Sequence, residues 1–128
     1  MTQKKQLLLK DLSARLLYGV KVLDNSHKDY GVSKVINIGI DGSILVDNET
    51  NDIQYYPIID DVRPYLRSLS SMTEEEDARR CAFLDDIEEG LEDDTIPNYI
   101  NWLNANYFDY HNLIPKDLAF EAPEDMYK

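Results

Sequence analysis

The densest group of side chains that could do chemistry is a run of carboxylates in the second half of the chain. It comprises Asp85, Asp86, Glu88, Glu89, Glu92, Asp93 and Asp94. Positions i, i+3, i+4 and i+7 of a helix share one face, and like charges at i,i+4 repel by roughly a few tenths of a kcal/mol per pair. Four of the carboxylates have this spacing: Asp85, Glu88, Glu89 and Glu92.

Three interpretations of these carboxylates are open. The plainest is a solvated helix face that runs into an acidic loop. A calcium site is the second, but the Asp-x-Asp-x-Asp-Gly loop that such sites use is missing. The third is a surface that imitates a row of phosphates and binds a basic protein partner. The candidate residues for that surface are Asp85, Glu88, Glu89, Glu92, Asp93 and Asp94.

The other candidates for catalysis or ligand binding are isolated. His27 and His111 lack metal-ligand spacing, so the first is interpreted as a solvated turn residue and the second as a surface or partly packed side chain. Cys81 is expected to be a buried, inert thiol inside a helix. Gly39 and Gly42 flank a predicted hairpin instead of forming a phosphate loop. No catalytic, metal-binding or cofactor-binding residue is predicted, and an enzyme is disfavoured.

Charge divides the chain into two parts. Residues 1–68 contain nine basic and nine acidic side chains, whereas residues 69–128 contain four basic and sixteen acidic ones, which accounts for the whole net charge of −12. Such a charge disfavours nucleic acids and anionic membranes as partners, since both are bound through Lys and Arg. A basic protein is the favoured partner.

Targeting signals are weak. No apolar run is long enough to span a membrane. Only Leu7, Leu8 and Leu9 follow the basic N-terminus before the next charge, too short a run for a secretory signal. The expected location is the cytoplasm.

The elements of the first half are predicted to be short strands, over 20–23, 30–40, 43–46 and 53–56. Asp41-Gly42 lies between two apolar runs and predicts a type I′ hairpin turn. Ile36, Ile38 and Ile40 alternate and are expected on one face. Pro57 limits the last strand to an edge of the sheet. A short helix is predicted ahead of the strands, over 11–17.

The elements of the second half are predicted to be helices. Thr73 and Glu76 form a capping box, and Gly90 ends the helix that it begins. Thr95 is predicted to cap a second helix. The apolar stripe of the first helix is expected to contain Ala78, Phe83, Leu84 and Ile87. Aromatic residues at the end of the second helix are expected to cover the open face of the sheet: Tyr99, Trp102, Tyr107, Phe108 and Tyr110.

Three sequence blocks resemble a known family. They are 11–22, the stretch 60–72, and the tail from Trp102 through Tyr127. Over these blocks the chain, from about Leu9 onward, is similar to uncharacterised small phage and prophage proteins of gut Bacteroidales. It departs from them at Leu17, where proline is expected, and at Asp125, where glycine is expected. The resemblance implies a mobile-element context and a bacterial host, and it assigns no activity and no functional residue.

These observations predict one α+β domain over residues 1–128, in which two helices and an extended tail pack on a small antiparallel sheet, either curled or closed into an SH3-like barrel. The parts are a β-rich region over 1–60, a connector over 61–72 and an acidic helical region with the tail over 73–128. The favoured function is non-catalytic: a phage or prophage accessory protein that acts by protein–protein contact. The alternatives are an enzyme or ligand-binding module with a pocket around Tyr55, Tyr56 and Trp102, and a virion or assembly component.

Overall fold

The computed structural model describes residues 3–90 and 94–127, which form both helices and strands and confirm the predicted α+β class. The helices are α1 (Gln3–Arg15), α2 (Glu74–Glu89) and α3 (Thr95–Ala105). The strands are β1 (Lys21–Asp24), β2 (Val32–Ile38), β3 (Ile44–Asn48), β4 (Ile53–Tyr55), β5 (Val62–Leu66) and β6 (Phe120–Glu121).

The six strands form one sheet in the order β4-β3-β2-β1-β5-β6. The first four strands follow one another as an antiparallel meander, and β5 returns beside β1, as in an SH3-like barrel. β6 is the one parallel neighbour that the described residues show, and it pairs with β5. Since no ladder within those residues joins β4 to β5 or β6, hydrogen bonds do not close the sheet into a full barrel. β4 lies at the edge, as Pro57 predicted.

The predicted connector over 61–72 is wrong, because this segment contains β5. Val62 and Leu66 are fully buried in the core. Pro64, which argues against a strand in the sequence, stands opposite Val22 of β1, and the pairing of β5 with β6 starts only at the next residue, where Tyr65 faces Phe120. On the β6 side, no N–H donor is needed at position 64.

The expected isoleucine face of β2 is also wrong. A register shift between Val35 and Asn37 places an extra residue in the strand. Val35, before the shift, is buried on the same face as Ser33, and Ile36 is accordingly half-exposed. After the shift it is Ile38 that packs against the core, whereas Ile40 is fully exposed in the turn. A bulge of this kind reverses which face a following side chain occupies.

The hairpin between β2 and β3 exists, but its turn is not type I′. The Gly42 N–H donates to the Gly39 carbonyl (3.0 Å), and the Gly39 N–H donates to the Ser43 carbonyl (2.8 Å). Only Gly42 of these turn residues has a positive φ, of 84°. A type I′ turn needs positive φ at both central residues, so the three-residue loop with a glycine at its end is formed instead.

α1 is the helix that covers the sheet. It begins at Gln3, eight residues before the predicted start, and a left-handed Gly19 (φ 69°) ends the 3-10 turn that follows it. Its buried positions are spaced i, i+3, i+4 and i+7: Leu8, Asp11, Leu12 and Arg15. The two leucines join a core cluster with side chains of β1, β2, β3 and β5. Because Asp11 and Arg15 are charged, the spacing of apolar residues alone did not predict the full length of this helix.

The chain after α3 contributes to the same core as α1 and the strands. The core cluster includes Leu113, Leu118 and Ala119 beside residues of α1 and the strands. α3 itself packs on α2 and α1. Of the predicted aromatic cover, Tyr107 packs against the core cluster. Tyr99 and Trp102 of α3 contact Phe83 of α2 instead, and α1 and residues 113–119 occupy the position over the sheet.

A buried ion pair joins α1 to the segment after α3. The Arg15 guanidinium donates to both carboxylate oxygens of Asp11, at 2.8 and 3.1 Å, and to the Phe108 carbonyl at 2.5 Å. His111 Nδ1 lies 2.7 Å from Asp11 Oδ2. Both members of the ion pair are inaccessible to solvent. Arg15 Nη1 is nevertheless buried without a hydrogen-bond partner among the described residues, so the pair is strongly but not completely compensated.

Replacing Asp11 by Asn leaves the Arg15 guanidinium buried without its counterion. We expect the free energy of unfolding in urea to fall by about 3 to 5 kcal/mol, the usual cost of removing one partner of a buried pair. The control is Arg80→Gln, which breaks an exposed contact with Asp77 at 3.8 Å and should cost less than about 1 kcal/mol. Equal losses in the two variants would contradict a structural role for the buried pair.

Candidate functional site

α2 is held by the caps that its sequence predicts. The Glu76 N–H donates to Thr73 Oγ1 (3.2 Å), and the Thr73 N–H donates to Glu76 Oε1 (3.0 Å), which completes the capping box. At the other end Gly90 is left-handed (φ 66°) and its N–H donates to the carbonyls of Asp86 and Ile87. Both ends of the helix are therefore defined by specific hydrogen bonds.

Arg67, just after β5, fastens the start of α2 to the sheet. Its guanidinium donates to both oxygens of Glu76, at 2.8 and 2.6 Å, and lies 4.4 Å from the centroid of the Phe108 ring. The hydrogen bonds from Arg67, with those from Thr73, lower the pKa of Glu76 to about 2. Glu76 is thus charged at neutral pH and serves the cap and the ion pair at once.

The rest of α2 packs only shallowly. Phe83 stacks on Tyr99 (5.4 Å between centroids) and contacts Trp102 (5.7 Å). Ile87 is half-buried on the same side. The other two members of the predicted stripe, Ala78 and Leu84, are exposed, and no residue of the helix is fully buried.

The predicted carboxylate surface is present on α2 as far as the structure describes it. Asp85, Glu88 and Glu89 are all exposed and lie on the side of the helix opposite Phe83 and Ile87. Two further predicted residues, Glu92 and Asp93, lie outside the described residues. The last, Asp94, is exposed just ahead of α3.

The start of α3 differs by one position from its prediction. Asp94 is the N-cap residue, without a side-chain capping bond, and Thr95 is the first helical residue and is buried. Asp94 therefore has a carboxylate that is not used to cap α3.

Cys81 lies on the carboxylate side of α2. It precedes Asp85 by four residues and Glu88 by seven, so it shares their helical face. The thiol is exposed, and the predicted buried thiol is wrong. The hydrophobic pattern failed here because α2 has no fully buried side.

The carboxylate surface is electrostatically uncompensated. α2 has eight carboxylates and two arginines, and its last turn contains no basic residue. Arg80 faces Asp77 at 3.8 Å, and Arg79 lies over the Phe83 ring at 4.7 Å. Within residues 3–90 and 94–127, the carboxylates of Asp85, Glu88 and Glu89 make no ion pair. Negative charges at the C-terminal end of a helix also oppose its dipole.

The three residues suggested for an alternative pocket lie in separate places. Tyr55 packs against the rings of His27 and Tyr30, at 5.9 and 5.7 Å, and its hydroxyl donates to Asp24 at 3.0 Å. Burial and that hydrogen bond raise the pKa of the Tyr55 hydroxyl. Tyr56 is exposed, and Trp102 lies in the aromatic cluster between α2 and α3. No common pocket follows from these positions.

Both histidines have specific carboxylate partners that the sequence did not suggest. His27 Nδ1 lies 3.1 Å from Asp24 Oδ2 and the ring stacks on Tyr30, although its side chain remains about half exposed. His111 is only 18% exposed and contacts Asp11. The i,i+4 spacing of Asp11 and Arg15 is the signal that could have found the buried pair, but nothing in the sequence places His111 beside it.

Neither a metal centre nor a membrane-crossing helix emerges from the part of the chain that the structure describes. There, no three His, Cys, Asp or Glu side chains are grouped so that they could hold a metal ion. No helix in that part is long and apolar enough to cross a membrane. The chain matches no protein-family model, no curated protein and no solved structure.

Replacing Thr73 by Ala removes the N-terminal cap of α2. We expect a loss of about 1 kcal/mol in the free energy of unfolding and faster amide hydrogen exchange over residues 76–88. Thr50→Ala, in the exposed turn before β4, is the matched control and should leave both measurements unchanged. Unprotected amides over 76–88 in the wild-type protein would mean that α2 is not a stable helix.

The low pKa of Glu76 makes part of the stability depend on pH. Because this pKa falls from its ordinary value of 4.5 to about 2 on folding, the carboxylate stabilises the fold above pH 4.5, and this contribution disappears as the pH falls through about 2. The difference in unfolding free energy between wild type and Glu76→Gln should therefore be largest near neutral pH and shrink between pH 4.5 and 2. A difference that is constant with pH would contradict the ionic role.

Proposed function

We propose that this chain is a non-catalytic accessory protein of a phage or prophage that binds a basic protein through the acidic side of α2. It acts in the cytoplasm of the bacterial host. The binding residues on α2 are Asp85, Glu88 and Glu89, and the sequence continues the surface through Glu92, Asp93 and Asp94.

The observation that carries the proposal is the combination of a firmly placed helix and an uncompensated charge on it. α2 is fastened by two caps and the Arg67–Glu76 pair, yet it adds no fully buried side chain to the core. Its last turns hold carboxylates that repel one another and oppose the helix dipole. Residues that destabilise their own helix, and that no contact inside the protein compensates, are expected at functional sites.

The chemistry of the surface favours a partner that binds phosphates. Carboxylates held on a rigid helix present a row of negative charges, as a nucleic-acid backbone does, and a basic groove is attracted to either. Proteins that handle DNA have such grooves, and the resemblance to phage and prophage proteins supports a partner of this class.

The proposal can be tested by cross-linking, because Cys81 is the single cysteine of the chain and lies among the carboxylates. A benzophenone maleimide attached to Cys81 is irradiated in bacterial lysate, and adducts are identified by mass spectrometry. We expect a discrete adduct with a basic protein. Excess double-stranded DNA should suppress it, and so should about 1 M salt, at which the screening length falls to about 3 Å.

The variant that removes the surface is Asp85→Asn, Glu88→Gln, Glu89→Gln, which should lose the adduct. The matched control also removes three exposed carboxylates, but from the other half of the chain: Asp29→Asn, Glu49→Gln, Asp52→Asn. It has the same net charge and should retain the adduct. An adduct that persists equally in both variants and in high salt would reduce the acidic side of α2 to a solubility feature.

A further inference from the structure

The loop of the hairpin between β2 and β3 places an aspartate directly before a glycine at the surface. Asp41 is exposed, and Gly42 follows it with a φ of 84°. Gly42 is the one glycine of the chain that follows an aspartate or an asparagine. Because glycine has no Cβ, the side chain that precedes it can approach its backbone nitrogen closely. The Asp41 carboxyl carbon and the Gly42 nitrogen are therefore within reach of each other.

The Asp41 side chain folds back over the loop. Its Oδ1 accepts a hydrogen bond from the Ser43 N–H at 3.0 Å, two residues farther along. A Cβ at position 39 would lie 2.8 Å from Asp41 Oδ1 and 2.7 Å from Ser43 Oγ, so Gly39 leaves the room that both groups occupy. An aspartate that bonds to the backbone two residues on in this way is bent towards the peptide unit between them, here that of Gly42.

Such a pair can undergo aspartate isomerisation with water as the only other reactant. The Gly42 nitrogen attacks Asp41 Cγ, so that the N–Cγ bond forms while the Cγ–OH bond breaks. The amide proton and the hydroxyl leave together as water, and a second water molecule then opens the cyclic imide. Attack at Cγ restores aspartate, whereas attack at the main-chain carbonyl carbon of Asp41 gives isoaspartate, whose backbone runs through Cβ. The protonated carboxyl is the reactive form, because its hydroxyl can leave as water.

Two interactions of the folded hairpin oppose this reaction. The Gly42 N–H donates to the Gly39 carbonyl at 3.0 Å, which holds the attacking nitrogen in the loop. Hydrogen bonds from the hydroxyl and the N–H of Ser43 hold the pKa of the Asp41 carboxyl below its ordinary value of 3.8. Less of the protonated, reactive form is therefore present at any pH above that pKa.

We propose that Asp41 and Gly42 form a site of spontaneous aspartate isomerisation and that Ser43 sets its rate. The product has one more backbone carbon between Gly39 and Ser43, which close the hairpin through the Gly39 N–H and the Ser43 carbonyl at 2.8 Å. The next residue, Ile44, is buried in the core. The modification therefore acts on the pairing of β2 with β3, and it does not depend on the proposed function of α2.

The test is incubation of the full chain in mildly acidic buffer, followed by peptide mapping with electron-transfer fragmentation, which distinguishes isoaspartate from aspartate. We expect isoaspartate to accumulate at position 41. Ser43→Ala should accumulate it about threefold to tenfold faster, the factor that one hydrogen bond supplies. Ser43→Thr keeps the hydroxyl and should react at the wild-type rate. Equal rates in Ser43→Ala and Ser43→Thr would overturn the role of Ser43, and a lack of isoaspartate at position 41 in all three proteins would overturn the site.

The pH dependence of the rate separates this effect from a general loosening of the hairpin. Since the protonated carboxyl reacts, the rate falls as the pH rises through the pKa of Asp41, which lies below 3.8 in the wild-type protein. In Ser43→Ala this pKa returns towards 3.8, so the fall in rate should move to higher pH. Faster isomerisation with an unmoved pH profile would show that Ser43 acts only through hairpin stability, contrary to the proposed role.

Discussion

The interaction on which the rest of this structure depends is the buried pair of Asp11 and Arg15. Both charges are removed from water, so each must be met by fixed polar groups. Besides the pair itself, Arg15 donates to the Phe108 carbonyl, although its Nη1 stays without a partner among the described residues, and Asp11 contacts His111. α1 is thereby bound to the segment that follows α3, and that segment contributes Leu113, Leu118 and Ala119 to the core.

Phe108 connects the buried pair to the start of α2 at the surface. Its carbonyl accepts from Arg15, and its ring lies beneath the guanidinium of Arg67, which holds Glu76 at the start of α2. The residue before it, Tyr107, has a positive φ of 62° and ends α3 where glycine is usual. The Tyr107 ring stacks on Tyr127 at 3.6 Å and its hydroxyl donates to the Tyr18 carbonyl, so tertiary contacts offset the strained backbone. The acidic helix is therefore placed by interactions that begin in the core.

The two parts of the chain that differ in net charge occupy different places in the structure. The balanced first half supplies α1 and five of the six strands. It also contains the one fully buried ion pair of the described residues, whose two charges cancel. The acidic second half supplies α2, which lies outside the core and whose carboxylates, apart from Glu76, are exposed. Charge that would be costly to bury is thus concentrated where the dielectric is high.

The sequence by itself determined the features that depend on local chemistry. Thr73, Glu76 and Gly90 set the ends of α2 because capping bonds join residues three or four apart, and Pro57 set β4 at an edge because proline lacks an N–H. The exposed carboxylates of Asp85, Glu88 and Glu89 also follow from helical spacing alone.

The tertiary structure decided what depends on distant residues. Pro64 could lie in a strand because the pairing of β5 with β6 starts one position later, at Tyr65. The bulge in β2 placed Ile38 on the core side while Ile36 stayed outward, because the pairing with β3 sets the register. His111 reached Asp11 and Arg15 from about a hundred residues away, and the Phe108 ring reached the guanidinium of Arg67 from the far side of α3. Such contacts depend on packing between elements, and neither periodicity nor propensity specifies that packing.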